Sequence, residues 1–159
     1  MTIYVVPRVY FEEMRGTPEE REAMAGLRVI SINSVRTREE PPFSGEFLGL
    51  STLLVLRFDD VSEAYEDGVF MSPQDARRVI DFVAGQSPEK PLVIHCTAGI
   101  SRSGAVGQVL NDWLNRIVSP NEADYEYFCR RHPHICPNPH VRLLLLAEIE
   151  RWMYEKEGK

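Results

Sequence analysis

Residues 91–96, Pro-Leu-Val-Ile-His-Cys, form a short apolar run that ends on a cysteine, and a helical pattern begins within five residues of it. A run of this length, following Pro88 and opening on Pro91, reads as a strand buried on both faces, as in a parallel sheet. From about Ser101 to Ile117 apolar residues recur at helical spacing. Ala105, Val109, Trp113 and Ile117 make one row, and Val106, Leu110 and Leu114 make the next. The two rows together give a wide apolar face. A buried strand that passes directly into such a helix points to an α/β fold, because parallel neighbours need crossover connections.

The rest of the chain alternates in the same way. LRVISIN (27–33) and TLLVLRF (52–58) read as strands from their apolar, β-branched content. A helix is predicted from Ser72, where SPQD has the form of a capping box with Pro73 in the first turn; Ala76, Val79, Ile80 and Val83 follow at helical spacing. SPNE (119–122) predicts a second capped start. NPHV (138–141) predicts a third, with Asn138 as cap and a helix running into WMYEKE, and TPEE (17–20) predicts a short early helix. TREEPPFSGE (37–46) is broken by Pro41, Pro42 and Gly45 and is expected to be a surface excursion. The expected architecture is one α/β domain over residues 1–159, with a central, mostly parallel sheet flanked by helices.

Composition narrows the partners. Hydrophobic residues make up 43% of the 159, enough for a packed core, and 18 Lys and Arg against 24 Asp and Glu leave a net charge of −6. That balance argues against a nucleic-acid surface, which would need a basic face. The longest apolar run, LLLLA at 143–147, is far too short to cross a bilayer, so no membrane role is expected. The N-terminal stretch has no basic segment leading into an apolar one, and Cys96, Cys129 and Cys136 form no paired framework. A cytoplasmic protein with reduced thiols is the expectation.

The chemistry concentrates in His95-Cys96-Thr97-Ala98-Gly99-Ile100-Ser101-Arg102-Ser103-Gly104. A loop that curls at a helix N-terminus turns several backbone N–H groups on one point, and the helix dipole adds positive potential there. Ala98 and Gly99 let the backbone approach closely. Arg102, at the start of the helix, can supply two parallel hydrogen bonds to phosphate oxygens. The potential that draws a phosphate also favours an anionic sulfur nucleophile at Cys96.

This segment resembles the signature loop of the protein tyrosine phosphatase superfamily: His-Cys, five residues (Thr97 to Ser101), Arg, then Ser or Thr. The resemblance implies a compact dual-specificity-like phosphatase acting on phosphorylated proteins or peptides, with neither metal nor cofactor. It implies that Cys96 attacks phosphorus and that water hydrolyses the phosphocysteine. It further implies that His95 organises the loop and that Ser103 stabilises the thiolate as it leaves.

Expelling an alkoxide or phenoxide needs a proton donor, and one carboxyl group can serve as acid and then as base. In the superfamily this is an aspartate on a neighbouring loop. Here Asp59 and Asp60 follow the 52–58 strand; the resemblance favours Asp60, with Asp59 as its neighbour, and Glu63 and Asp67 rank behind both.

Other features have plainer readings. His132, His134, Cys136 and His140 crowd one proline-rich segment without metal-ligand spacing, and read as a stiff connection between helices. Arg130 and Arg131 read as a basic helix end. Cys129, Cys136, Trp113, Trp152 and the Leu143–Leu146 run are expected in the core. Three rival functions remain: a phosphoinositide or nucleotide phosphatase of the same superfamily, a rhodanese-type sulfurtransferase, and a non-catalytic phosphate-binding module.

Overall fold

The computed structural model describes residues 1–158. Four parallel strands form one sheet: β1 (Ile3–Pro7), β2 (Arg28–Asn33), β3 (Leu53–Arg57) and β4 (Leu92–Cys96), in the order β1-β4-β2-β3. β4 lies inside the sheet and all five of its residues are buried, as its uninterrupted apolar run requires. β1 and the short helix α1 (Val9–Met14) have no counterpart in the sequence reading. β1 alternates buried and half-buried residues at an edge position, so it lacks the solid apolar run that marks β4.

Side chains alternate across the sheet and build two cores. On one face Ile30, Ile32, Leu92 and Ile94 meet α3 (Pro73–Ala84), α4 (Arg102–Trp113) and α6 (Pro139–Glu157). On the other face Val29, Leu53 and Val93 meet Phe11 of α1, Met24 of α2 (Pro18–Gly26), and Phe43 and Phe47. The 37–46 segment is therefore no simple surface excursion: Pro41, Pro42 and Phe43 are buried and roof the second core.

Helix starts follow local chemistry. Ser72 and Asp75 form a reciprocal capping box at α3, and the Asn138 side chain accepts from the backbone N–H groups of His140 and Val141 at α6. At α5 (Glu122–Arg131) the start is displaced from the SPNE reading: Asn121, not Ser119, is the cap, accepting from the Asp124 N–H at 3.0 Å. The displacement arises upstream. α4 runs into a π-helical turn, Leu114–Val118, and Ser119 N–H bonds the Leu114 carbonyl. The wider turn also rotates Ile117 out of its apolar row, leaving it 62% exposed.

Other core expectations divide. Trp113 is buried and Trp152 packs half-buried against it with ring centroids 5.4 Å apart. Of the leucine run, Leu145 is fully buried, whereas Leu143 and Leu146 are exposed, because consecutive helical positions cannot share one face. Cys129 and Cys136 are both exposed free thiols, contrary to the core reading. Among the described residues no helix is long and apolar enough to cross a membrane.

Candidate active site

Strand register places the site. Pro7 pairs with Cys96, Ser31 with His95, and Asn33 with Arg57, so the carboxyl ends of all four strands lie along one edge. The residues that leave these strands (Arg8, Ser34, Phe58 to Asp60, and Thr97) meet there, the usual location for a ligand in an open α/β sheet.

The 97–101 loop is braced from outside. Arg8 N–H donates to the Thr97 carbonyl at 3.1 Å; Cys136 N–H donates to Ile100 and Asn138 N–H to Ser101, both at 3.0 Å. None of these bonds consumes a loop N–H. Gly99 has φ +70°, and a Cβ there would lie 2.6 Å from Pro7 N and Val6 C. The loop can pass β1 this closely only with glycine at that position.

Cys96 is 2% exposed, and its Sγ lies 3.0 Å from Ser103 Oγ in the first turn of α4. His95 is fully buried below it. Its Nδ1 faces the Cys96 carbonyl at 3.2 Å, which can only accept, so Nδ1 carries the proton; Nε2 then accepts from Ser31 Oγ at 2.6 Å. Burial pushes His95 down to about 4, so the ring is neutral at pH 7. Ser31 Oγ in turn accepts from Asn33 Nδ2, and Asn33 Oδ1 accepts from Arg8. The bracing network thus runs from β1 through β2 to the base of the loop.

Arg102 is 4% exposed. Its Nη1 donates to Ser34 Oγ (2.9 Å) and the Phe58 carbonyl (2.8 Å), and its Nη2 donates to Thr97 Oγ1 (2.9 Å). Its Nε is buried without a hydrogen-bond partner among the described residues. A guanidinium held by three protein acceptors, with Nε still free to donate, can take up an anion.

The adjacent aspartates diverge. Asp59 is 6% exposed and accepts three backbone N–H groups, from Val35 and Arg36 at 3.0 Å and from Val69 at 2.7 Å. Burial pushes its carboxyl up, but those three bonds and the nearby Arg102 outweigh it and hold it below the usual carboxylate range. Asp60 is exposed, and its Oδ1 accepts from Ser101 Oγ and Asn138 Nδ2, both at 2.8 Å. Glu63 and Asp67 are exposed farther along the same connection, and Asp67 pairs with Arg36 at 3.5 Å.

The histidine-rich segment does structural work. His132 Nε2 accepts from Val5 N–H, and its Nδ1 donates to the Phe128 carbonyl; His140 Nε2 bonds the Met71 carbonyl. Among the described residues no group of three or more His, Cys, Asp and Glu is arranged to hold a metal. Sequence reasoning missed Arg8, Ser34, Glu39 and the second role of Asn138. None of these carries a motif, and each is defined by partners far away in the chain.

A buried cysteine at the end of an inner parallel strand, a tight loop and an arginine entering the next helix thus stand together at the carboxyl edge of the sheet. The chain has the fold of the protein tyrosine phosphatase superfamily. Crystallised PTPMT1 in complex with PI(5)P aligns over 98% of this chain and 94% of its own, with 16% identity and a TM-score of 0.59. The human tyrosine phosphatase-like serine/threonine/tyrosine-interacting protein aligns over 95% and 93%, with 20% identity and a TM-score of 0.58. Tk-PTP in its active form aligns over 95% and 92%, with 15% identity and a TM-score of 0.51. No protein-family model and no curated protein matches the chain.

Proposed function

We propose that the chain, acting as one domain, is a phosphate monoester hydrolase of the protein tyrosine/dual-specificity type. The observation that carries this reading is the meeting of Cys96, Arg102 and Asp60 on one sheet edge, with the 2.8 Å Ser101–Asp60 bond joining the acid's loop to the nucleophile's. The Cys96 thiolate attacks phosphorus while Arg102 holds two equatorial oxygens through Nε and an Nη group. Asp60 protonates the departing oxygen. In the second step the Asp60 carboxylate takes a proton from water, water oxygen bonds to phosphorus, and the S–P bond breaks with Ser103 donating to the leaving sulfur. Asp59, saturated by backbone N–H groups, serves as a structural anchor.

The substrate read from this site is a phosphorylated protein or peptide. The five residues between Cys96 and Arg102 include no lysine that would favour a polyphosphorylated inositol ring. A nucleophile that needs a free thiol suits a reducing, cytoplasmic setting. The Ser103–Cys96 bond supports phosphoryl over sulfur transfer. A panel of p-nitrophenyl phosphate, phosphotyrosine and phosphoserine peptides, phosphoinositides and thiosulfate tests the reading. Hydrolysis of phosphopeptides is expected to exceed that of phosphoinositides. Sulfur transfer from thiosulfate, or no turnover at all, would overturn it.

A further inference from the structure

We infer that the outer face of α6 is a seam for a second copy of this chain, laid antiparallel against it. Leu143, Leu146, Glu150, Met153 and Glu157 follow one another at alternating steps of three and four residues, a heptad pattern that keeps them on one side of a helix. The core uses the other side. Val141, Leu145, Glu148 and Ile149 are buried against the domain, whereas Leu143 is 64% exposed, Leu146 40% and the adjoining Tyr154 77%.

Scattered exposed leucines are ordinary, but these stand beside holes of matching form. Leu146, Ile149, Glu150, Met153, Tyr154 and Glu157 line an open hollow of about 340 Å³. They make two successive sets of four at i, i+3, i+4 and i+7, the shape that receives one knob in helix–helix packing. Antiparallel pairing with the two-fold axis level with Glu148 brings Leu143 opposite Met153 of the second copy, over the outer hole. The same register brings Leu146 opposite Glu150, over the inner one. By symmetry each contact occurs twice.

Charge selects this orientation. Parallel pairing in register would set Glu150 against Glu150 and Glu157 against Glu157. Antiparallel pairing instead sets Arg142 level with Tyr154 of the second copy, between its Glu150 and Glu157, each within about 6 Å along the axis at about 1.5 Å per residue. Among the described residues Arg142, Glu150 and Glu157 have no ion-pair partner within the chain. Lys156, on the flank of Arg142, is drawn back over the Trp152 ring, 5.2 Å from its centre, and so leaves that flank to the arginine.

One helix per copy makes a small interface, below the about 1,200 Å² of stable complexes, so the association is weak, with a dissociation constant in the micromolar range. Pairing through α6 uses none of the residues of the proposed phosphate site, so either reading can fail without the other.

The test is sedimentation velocity of the full chain from about 5 to about 500 μM, under reducing conditions so that the exposed Cys129 and Cys136 cannot link copies. Wild type is expected to pass from monomer to dimer across that range. L143E and L146E should each raise the dissociation constant at least about tenfold, with thermal melts of the dilute proteins close to wild type. R142E alone should stay monomeric, and so should E150R/E157R alone, because each reversal sets like charges together. Mixed one to one, the two should dimerise again, since every reversed charge then meets its opposite. Wild type that is monomeric throughout would leave the face to another occupant and overturn the inference. A dimer that L143E and L146E leave intact would place the interface elsewhere and overturn it too. A mixture that stays monomeric would refute the antiparallel register. If either leucine variant fails to fold, the charge-reversed pair decides.

Discussion

Asn138 donates from its side-chain amide to Asp60 at 2.8 Å, while its backbone N–H holds the Ser101 carbonyl at 3.0 Å and its side-chain oxygen caps α6. One buried residue thus ties the Asp60 loop, the 97–101 loop and a helix start. The two jobs of its side chain can be separated. Asn138→Ser keeps a capping oxygen but cannot reach Asp60; Asn138→Ala loses both. Both variants are expected to slow hydrolysis of phosphopeptides on the order of tenfold. Only the alanine variant should lose about 1 kcal/mol of cap stability relative to the serine one. Steady-state kinetics beside urea titrations check this, and equal activity to wild type in both would remove Asn138 from acid positioning.

The aspartate pair gives the second test. A general acid matters most for a poor leaving group. Asp60→Asn is expected to slow phosphopeptide hydrolysis about a hundredfold to ten-thousandfold and an activated aryl phosphate far less. Asp59→Asn places an amide N–H against a backbone N–H of the 35–36 turn or of Val69, and is expected to cost about 1–3 kcal/mol of stability. Its activity should fall without leaving-group dependence. Leaving-group dependence in Asp59→Asn and none in Asp60→Asn would swap the roles.

The third concerns the nucleophile. Cys96→Ser should fold, because the two side chains are nearly isosteric and a hydroxyl can take the 3.0 Å bond that Sγ makes with Ser103 Oγ. Turnover should vanish, since a serine hydroxyl is far less ionised near neutrality. Rapid quenching of wild type with a labelled phosphopeptide should leave phosphate on Cys96. Turnover retained by the serine variant would refute the assignment.

The fourth concerns pH. Folding buries His95 and holds it near 4, while an unfolded histidine titrates near 6.5. Between those values the unfolded chain binds the extra proton, so stability rises with pH there and is fully present above about 6.5. Going from pH 7 to pH 5 should cost about 2 kcal/mol through this residue. His132, lowered by its own burial, adds in the same direction. Asp59, held below the carboxylate range, loses its contribution only at more acidic pH. Urea unfolding at the two pH values measures the loss, and His95→Asn should flatten most of it; an equal slope in the variant would place the proton elsewhere.

Much of this arrangement is legible in the sequence because it is written locally. The apolar run 91–96, the capping box at Ser72 and the Asn138 cap each depend on residues within a few positions of one another. The cysteine, arginine and serine lie within one strand–loop–helix junction, Cys96 at the end of β4 and Arg102 and Ser103 at the start of α4, so short spacing brings them close. Asp59 and Asp60 were both visible as a strand end, but which one meets Ser101 depends on the backbone donors of Val35, Arg36 and Val69. Those lie in segments with no periodic signal. β1 escaped for a related reason: at a sheet edge its half-exposed residues imitate a loop. Glu39 lies in the 37–46 segment, whose prolines and glycine signal a surface excursion and carry no sign of its bonds to Ser34 and Thr97.

The strand order β1-β4-β2-β3 carries a kinetic meaning. Each pairing joins segments far apart in the chain: Ile3 meets Leu92, Val29 meets Val93, and Val29 meets Leu53. Arg8, Ser34, Asp60 and Cys96 come within reach of one another only when every one of these long loops has closed. A sheet made of such distant pairings forms slowly, because chain entropy is lost before the contacts that offset it are gained. A half-formed sheet therefore cannot assemble these residues, and a nascent or partly unfolded copy of this protein carries Cys96 without the neighbours that the proposed phosphate site needs.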